Sequence, residues 1–111
     1  MSLLDVKQLY PSGVAFIDGV APAADQSLVA AVTDYAIVVD ELLISVGGGA
    51  ANVFLESGAS TVVFPKVYLA INTAVHIVEP GIRTARGSAL TATTAGAAST
   101  TSVFVRYHLE A

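Results

Sequence analysis

An all-β fold, a sandwich or a barrel of short strands, is what this sequence predicts, and three observations carry the prediction. The segment Ser102–Leu109 alternates cleanly: Val103, Val105, Tyr107 and Leu109 point one way, Phe104, Arg106 and His108 the other. Period 2 over that length, in β-branched and aromatic residues, marks a strand with one well-buried face. Turn signals then recur every 8 to 12 residues or so along the chain, the spacing of small sandwiches and barrels. No self-similar period of about 20–50 residues is present, which excludes a solenoid or a propeller array. At 111 residues the chain makes one domain with a single core.

The elements follow in order. Residues 1–26 are punctuated by Pro11, Gly13, Gly19 and Pro22, a density that breaks regular structure. Only Gly13–Ile17 reads as a short strand. Leu3, Leu4, Val6, Leu9, Tyr10, Phe16 and Ile17 are too apolar for a solvated tail, so this segment is expected to be an extended arm packing along the domain or reaching a neighbour. Residues 27–111 form the sandwich domain.

Leu28–Val32 fits either a strand or a short helix capped by Asp25. Tyr35–Val39 is a continuous apolar run, the pattern of a strand buried on both faces. Glu41–Val46 aligns Leu42, Ile44 and Val46, and Gly47-Gly48-Gly49 joins it to Ala51–Glu56 as an expected hairpin. Ser57-Gly58-Ala59 is a further turn. Thr61–Phe64 is expected to end at Pro65, with Val67–Ile71 a separate strand. Ala74–Val78 stops at Pro80-Gly81, and Ile82–Ser88 is a loop holding Arg83 and Arg86. Leu90–Thr94 and the final strand are joined by Ala95–Ser99, a small-residue hairpin loop.

Composition restricts function. Apolar residues make up 54% of the chain and charged residues 13%, against about 25% charged in typical proteins. Mean hydropathy is +0.70. A surface so poor in charge is either neutral and polar or partly covered by other protein, and large exposed apolar patches are rare on monomers. The net charge of −4, with only Lys7, Lys66, Arg83, Arg86 and Arg106 positive, argues against nucleic acid as a partner. Cysteine is absent, which removes disulfides and thiolate metal sites. The start of the chain has no basic segment leading into an apolar core, so no secretory signal is expected. The stretch Leu28–Val46 is interrupted by Asp34, Asp40 and Glu41, too charged for a spanning helix, so no membrane partner is expected.

Candidate chemistry is sparse. Gly47–Gly49 lacks the Lys-Ser/Thr that completes a phosphate-binding loop. His76 and His108 have no third ligand at metal spacing and read as surface or interface histidines. Asp40 and Glu41 are adjacent, so in a regular strand they face opposite ways. Asp34, Glu56 and Glu79 fall at strand ends, where solvated charge is expected. No serine is singled out as a nucleophile. No enzyme activity and no cofactor are therefore expected. Arg83 and Arg86, three residues apart, are the densest positive charge, either solvated or set to meet an acidic partner surface. The small side chains of Ala89–Thr94 suit either close approach of a sheet or a subunit, or an edge strand whose outer face is merely polar.

Several segments in sequence resemble small β-sandwich virion proteins of tailed bacteriophages, of the capsid decoration (cement) type. They are Leu42–Val46 with its glycine turn, Asn52–Leu55, Val62–Ala70, Ala74–Pro80, Arg83–Thr93 and Val103–Tyr107. Thr84–Leu90, a small loop, a glycine and a strand opened by leucine, is the most distinctive. The resemblance spans Glu41–Glu110, about two-thirds of the chain, as a pattern of apolar residues and turns; it is similar as well to modules of phage tail and fibre proteins. It implies an antiparallel, jelly-roll-like β-sandwich, here with the extended N-terminal arm. It further implies a homotrimer on the outer capsid surface of a virion, made in the host cytoplasm, that clamps neighbouring subunits of the major capsid protein. Arg83, Arg86, Leu3, Leu4, Tyr10 and Phe16 are the candidate subunit or coat contacts. The alternative is a tail-fibre or receptor-binding sandwich recognising host surface glycan.

Overall fold

The computed structural model describes residues 12–111. Among them are eight strands: β1 (Ser12–Val20), β2 (Gln26–Val29), β3 (Ala36–Gly47), β4 (Ala51–Ser57), β5 (Thr61–Leu69), β6 (Ala74–Val78), β7 (Leu90–Ala95) and β8 (Thr100–Glu110). They form two four-stranded sheets, β1-β8-β3-β6 and β2-β7-β4-β5. Strand pairs 1·8, 2·7, 3·6 and 4·5 are all antiparallel. Only the β4–β5 connection stays within one sheet; every other connection crosses from one sheet to the other. This is a double-sheet jelly roll, and the all-β antiparallel sandwich expected from sequence is what forms.

Alternation explains the layers. On β3, Ile37, Val39, Leu42, Ile44 and Val46 are buried, as are Val103 and Val105 on β8. From the other sheet Val53, Leu55, Leu90 and Ala92 meet them. Burying each large apolar side chain stabilises the fold by about 1.5–3 kcal/mol. Ile82, on the β6–β7 connection, is also buried. Its backbone runs beside β3: the Val39 amide donates to the Ile82 carbonyl at 3.0 Å, the Thr84 amide to Ile37 at 2.9 Å, and the Ile37 amide to Thr84 Oγ1 at 2.9 Å. That short stretch continues the sheet past the end of β6 and fixes Arg83.

Several local expectations are corrected. Residues 12–20, read as part of the arm, are a nine-residue strand of the first sheet, registered from Ser12 opposite His108 to Ile17 opposite Val103. Ala15 and Ile17 pack against the core, so the sheet begins well before residue 27. The arm residues 1–11, with Leu3, Leu4 and Tyr10, lie outside the described residues. Gln26–Val29 is a strand, and Asp25, with φ 51°, turns into it instead of capping a helix.

The glycine run is not a hairpin, because β3 and β4 belong to different sheets. A Cβ at Gly48 would stand 2.6 Å from the Ala98 carbonyl oxygen, and one at Gly49 2.9 Å from that of Ala97. The glycines let this loop lie directly on Ala95–Ser99, which likewise crosses between sheets. Pro65 does not end a strand either. It sits inside β5, an edge strand whose register is irregular opposite Leu55, the setting in which a missing amide is tolerated.

Candidate binding face

Side chains that do not enter the core make the outer face of the first sheet, and register sets them in rows. Phe16, Phe104, Leu43 and His76 lie side by side across all four strands. The neighbouring row is Val14, Arg106, Glu41 and Val78. Phe16 is 66% exposed, Val14 and Val78 each 59%, and Leu43 39%. Phe16, the partly exposed Phe104 and Leu43 are contiguous over three strands, while Arg106 and Glu41 stand between Val14 and Val78; exposed apolar clusters of this kind are uncommon on monomers. The groove between Phe16, Leu43, Ser45 and Phe104 measures about 170 Å³, below the roughly 300–1,000 Å³ of small-molecule pockets.

Beside the apolar row lies a charge network. A bulge in β3 between Val39 and Glu41 adds one residue to the strand. It turns Asp40 and Glu41 to the same outer face. The expectation that they face opposite ways fails at that bulge. Arg106 reaches both, at 4.0 Å from Asp40 and 3.7 Å from Glu41. His76 Nε2 is 2.9 Å from Glu41. His108 sits between two carboxylates, with Nδ1 2.8 Å from Asp40 and Nε2 2.7 Å from Glu110. Burial pulls the His108 pKa downward, but hydrogen bonds and charge attraction from Asp40 and Glu110 outweigh it, so the pKa is raised. Glu110 is lowered, first by its hydrogen bond with His108 and next by that with Arg83.

Arg83 donates to Glu110 at 2.6 Å while about half of its side chain stays exposed. Arg86 does not join it. Its guanidinium donates to the Asp34 carbonyl at 3.2 and 3.3 Å and closes the β2–β3 turn, where Asp34 has φ 69°. The loop thus places the two arginines on separate partners within the chain. Of the candidate contacts, Phe16 stands at the β1 end of the exposed row. Leu43, Phe104, Val14 and Val78 share that face and were not among the sequence candidates, although the alternation of Ser102–Leu109 already set Phe104 on the side opposite Val103 and Val105. Among the described residues, no group of three or more His, Cys, Asp or Glu converges to hold a metal ion, and no helix is long and apolar enough to cross a membrane.

The second sheet is finished differently. Its outward Thr93 donates to Glu56 at 3.0 Å and accepts from the Asp25 amide at 3.0 Å. Glu56, expected as solvated charge, is buried in β4. Phe54 is covered by the Lys66 ammonium, 5.6 Å from the ring centre. Tyr68 and Val62, both on β5, are 77% and 54% exposed.

No family model matches the chain, and no curated protein matches it significantly. Solved structures do share its shape. One is of Bacillus endospore appendages, described as disulfide-linked pili, with TM-score 0.50 and 19% identity over 91% of this chain and 87% of that one. A second is the virus-like particle of the extra small virus of the giant freshwater prawn Macrobrachium rosenbergii, with TM-score 0.44 and 13% identity over 92% and 79%. A third is hydroxypropylphosphonic acid epoxidase from S. wedmorenis, with TM-score 0.38 and 11% identity over 90% of this chain and 44% of that one. At 19% identity the likeness to the endospore appendage speaks to architecture alone. The chain has the fold of a two-sheet antiparallel jelly roll.

Proposed function

We propose that this chain is a non-enzymatic structural protein of a phage virion, a homotrimeric decoration protein that clamps neighbouring coat subunits on the outer capsid surface. The observation that carries the reading is the exposed row Phe16–Phe104–Leu43 on the outer face of the first sheet. A sandwich stiff enough to hold such a row in register offers a pre-formed contact face, and stable interfaces remove about 1,200–2,000 Å² of surface. The low charge of the chain favours the same use, since desolvating a charged surface is costly. Arg83, half exposed beside Glu110, lies at the rim of this face, where a charge contributes more to encounter and orientation than to affinity.

Electron microscopy of the assembled particle tests the proposal. It predicts density for three copies at local three-fold points of the capsid, with the Phe16 face turned toward coat protein. Density confined to the tail or its fibres would favour the glycan-binding alternative and overturn the decoration role.

A further inference from the structure

We infer that copies of this chain join edge to edge through their first sheets, β1 of one against β6 of the next. The contact rests on the strand edges; that it closes at three copies rests on the homotrimer reading above. An edge strand carries unpaired backbone groups ready for another strand, and proteins protect such edges with short strands, bulges, proline or lysine. The second sheet uses these devices. Its β2 is four residues long and bulged, and its β5 carries Pro65, Lys66 and two register irregularities. The first sheet uses fewer of them: β6 is five residues long, and β1 is irregular only past Ile17, where Asp18 lies. Ser12–Ile17 of β1 and Ala74–Val78 of β6 contain no Lys, Arg, Asp, Glu or Pro. Among the described residues, no backbone hydrogen bond from outside the ladders reaches β6, and along β1 only the Gly19 amide is engaged, by Ser102.

The two edges also match. β1 is antiparallel to β8, β8 to β3 and β3 to β6, so β1 of a following copy meets β6 antiparallel. One register continues both rows. Phe16 then faces His76 of the next copy, and Val14 faces its Val78. The inward Ala15 and Ile17, only partly buried at their own edge, face Ile77 and Val75, partly buried at the other. Asp18 falls opposite Ala74, so no like charges oppose each other. A slip by one residue would turn inward side chains outward. A slip by two, bringing Asp18 opposite His76, would draw the irregular end of β1, past Ile17, into the junction.

The absence of native cysteine makes disulfide trapping unambiguous. Facing residues in an antiparallel pair lie about 4.5–5.5 Å apart at Cα, within the roughly 4.4–6.8 Å that a disulfide spans. Within one chain, Val14 and Val78 are three strand spacings apart, roughly 14 Å at about 4.8 Å each, so they cannot bridge. The double variant Val14→Cys/Val78→Cys should, on mild oxidation of the full-length protein, give covalently linked oligomers that end at a trimer if the ring closes. Each single variant alone should stay unlinked, and an equal mixture of the two should give linked dimers only. Linkage in V14C alone would mean β1 pairs with β1, and would overturn the inference. So would an unlinked double variant that still sediments as a trimer, an outcome that leaves the homotrimer reading standing. An unlinked double variant that sediments as a monomer, both free and when released from particles, would end both.

Discussion

The two sheets share one core and differ in almost everything outside it. The second sheet closes itself: Thr93 and Glu56 bond each other, Phe54 lies under Lys66, and both edges are short, bulged or interrupted by proline. The first sheet leaves apolar side chains exposed and, along Ser12–Ile17 and Ala74–Val78, two uncharged strand edges open. Stability of the isolated chain does not require that difference, since burying or breaking up those features costs a sandwich little. On the proposed reading, binding falls to the first sheet and solvent to the second.

The largest effects should fall inside, where the sheets are equivalent. Leu42 on β3 and Leu55 on β4 are both fully buried. Leu42→Ala and Leu55→Ala should each cost about 2–5 kcal/mol in chemical denaturation. Leu43→Ala, one residue away on the outer face, should cost under about 1 kcal/mol. Comparable losses at Leu42 and Leu43 would mean that the face assignment of β3 is wrong.

Outside, the sheets should separate. Phe16→Ser and Tyr68→Ser remove the most exposed aromatic side chain described on each sheet, and both should leave folding stability within about 0.5 kcal/mol. Quantified on purified particles, Phe16→Ser should lower occupancy severalfold and Tyr68→Ser should leave it unchanged. The opposite ranking would move the binding side to the second sheet.

The smallest effect concerns the charge network, which only the first sheet carries. His108 is raised, so its contribution is fully present below the ordinary histidine value of about 6.5 and is lost as pH rises through the raised one. Glu110 is lowered, so its contribution is present above the ordinary glutamate range and is lost as pH falls through the lowered value. Between those limits, in mildly acidic solution, both are whole. Thermal melts should therefore show His108→Gln less stable than the parent at about pH 5.5 and the gap narrower at about pH 8.5. An equal gap at both would remove His108 protonation from the account.

Alternation made the strands and their inward residues legible in the sequence, because period 2 reports which side chains share a face. Partnership between strands was not legible. Gly47–Gly49 and Ala95–Ser99 look like hairpin turns by composition, yet each crosses between sheets, and the reason is a contact between the two loops nearly 50 residues apart in sequence. The β3 bulge hid the charge network, since a regular strand would have separated Asp40 from Glu41. Phe16 was legible as an apolar residue needing a partner. Its alignment with Phe104 and Leu43 follows from register, which no local pattern encodes.

The most direct test of the asymmetry is amide hydrogen exchange, compared between free protein and protein on the assembled particle. Exchange reports protection strand by strand. Assembly should slow exchange along β1 and β6, the open edges of the first sheet, and leave β2 and β5 as they are in the free chain. New protection along β5 with none along β1 or β6 would contradict the assignment of binding to the first sheet.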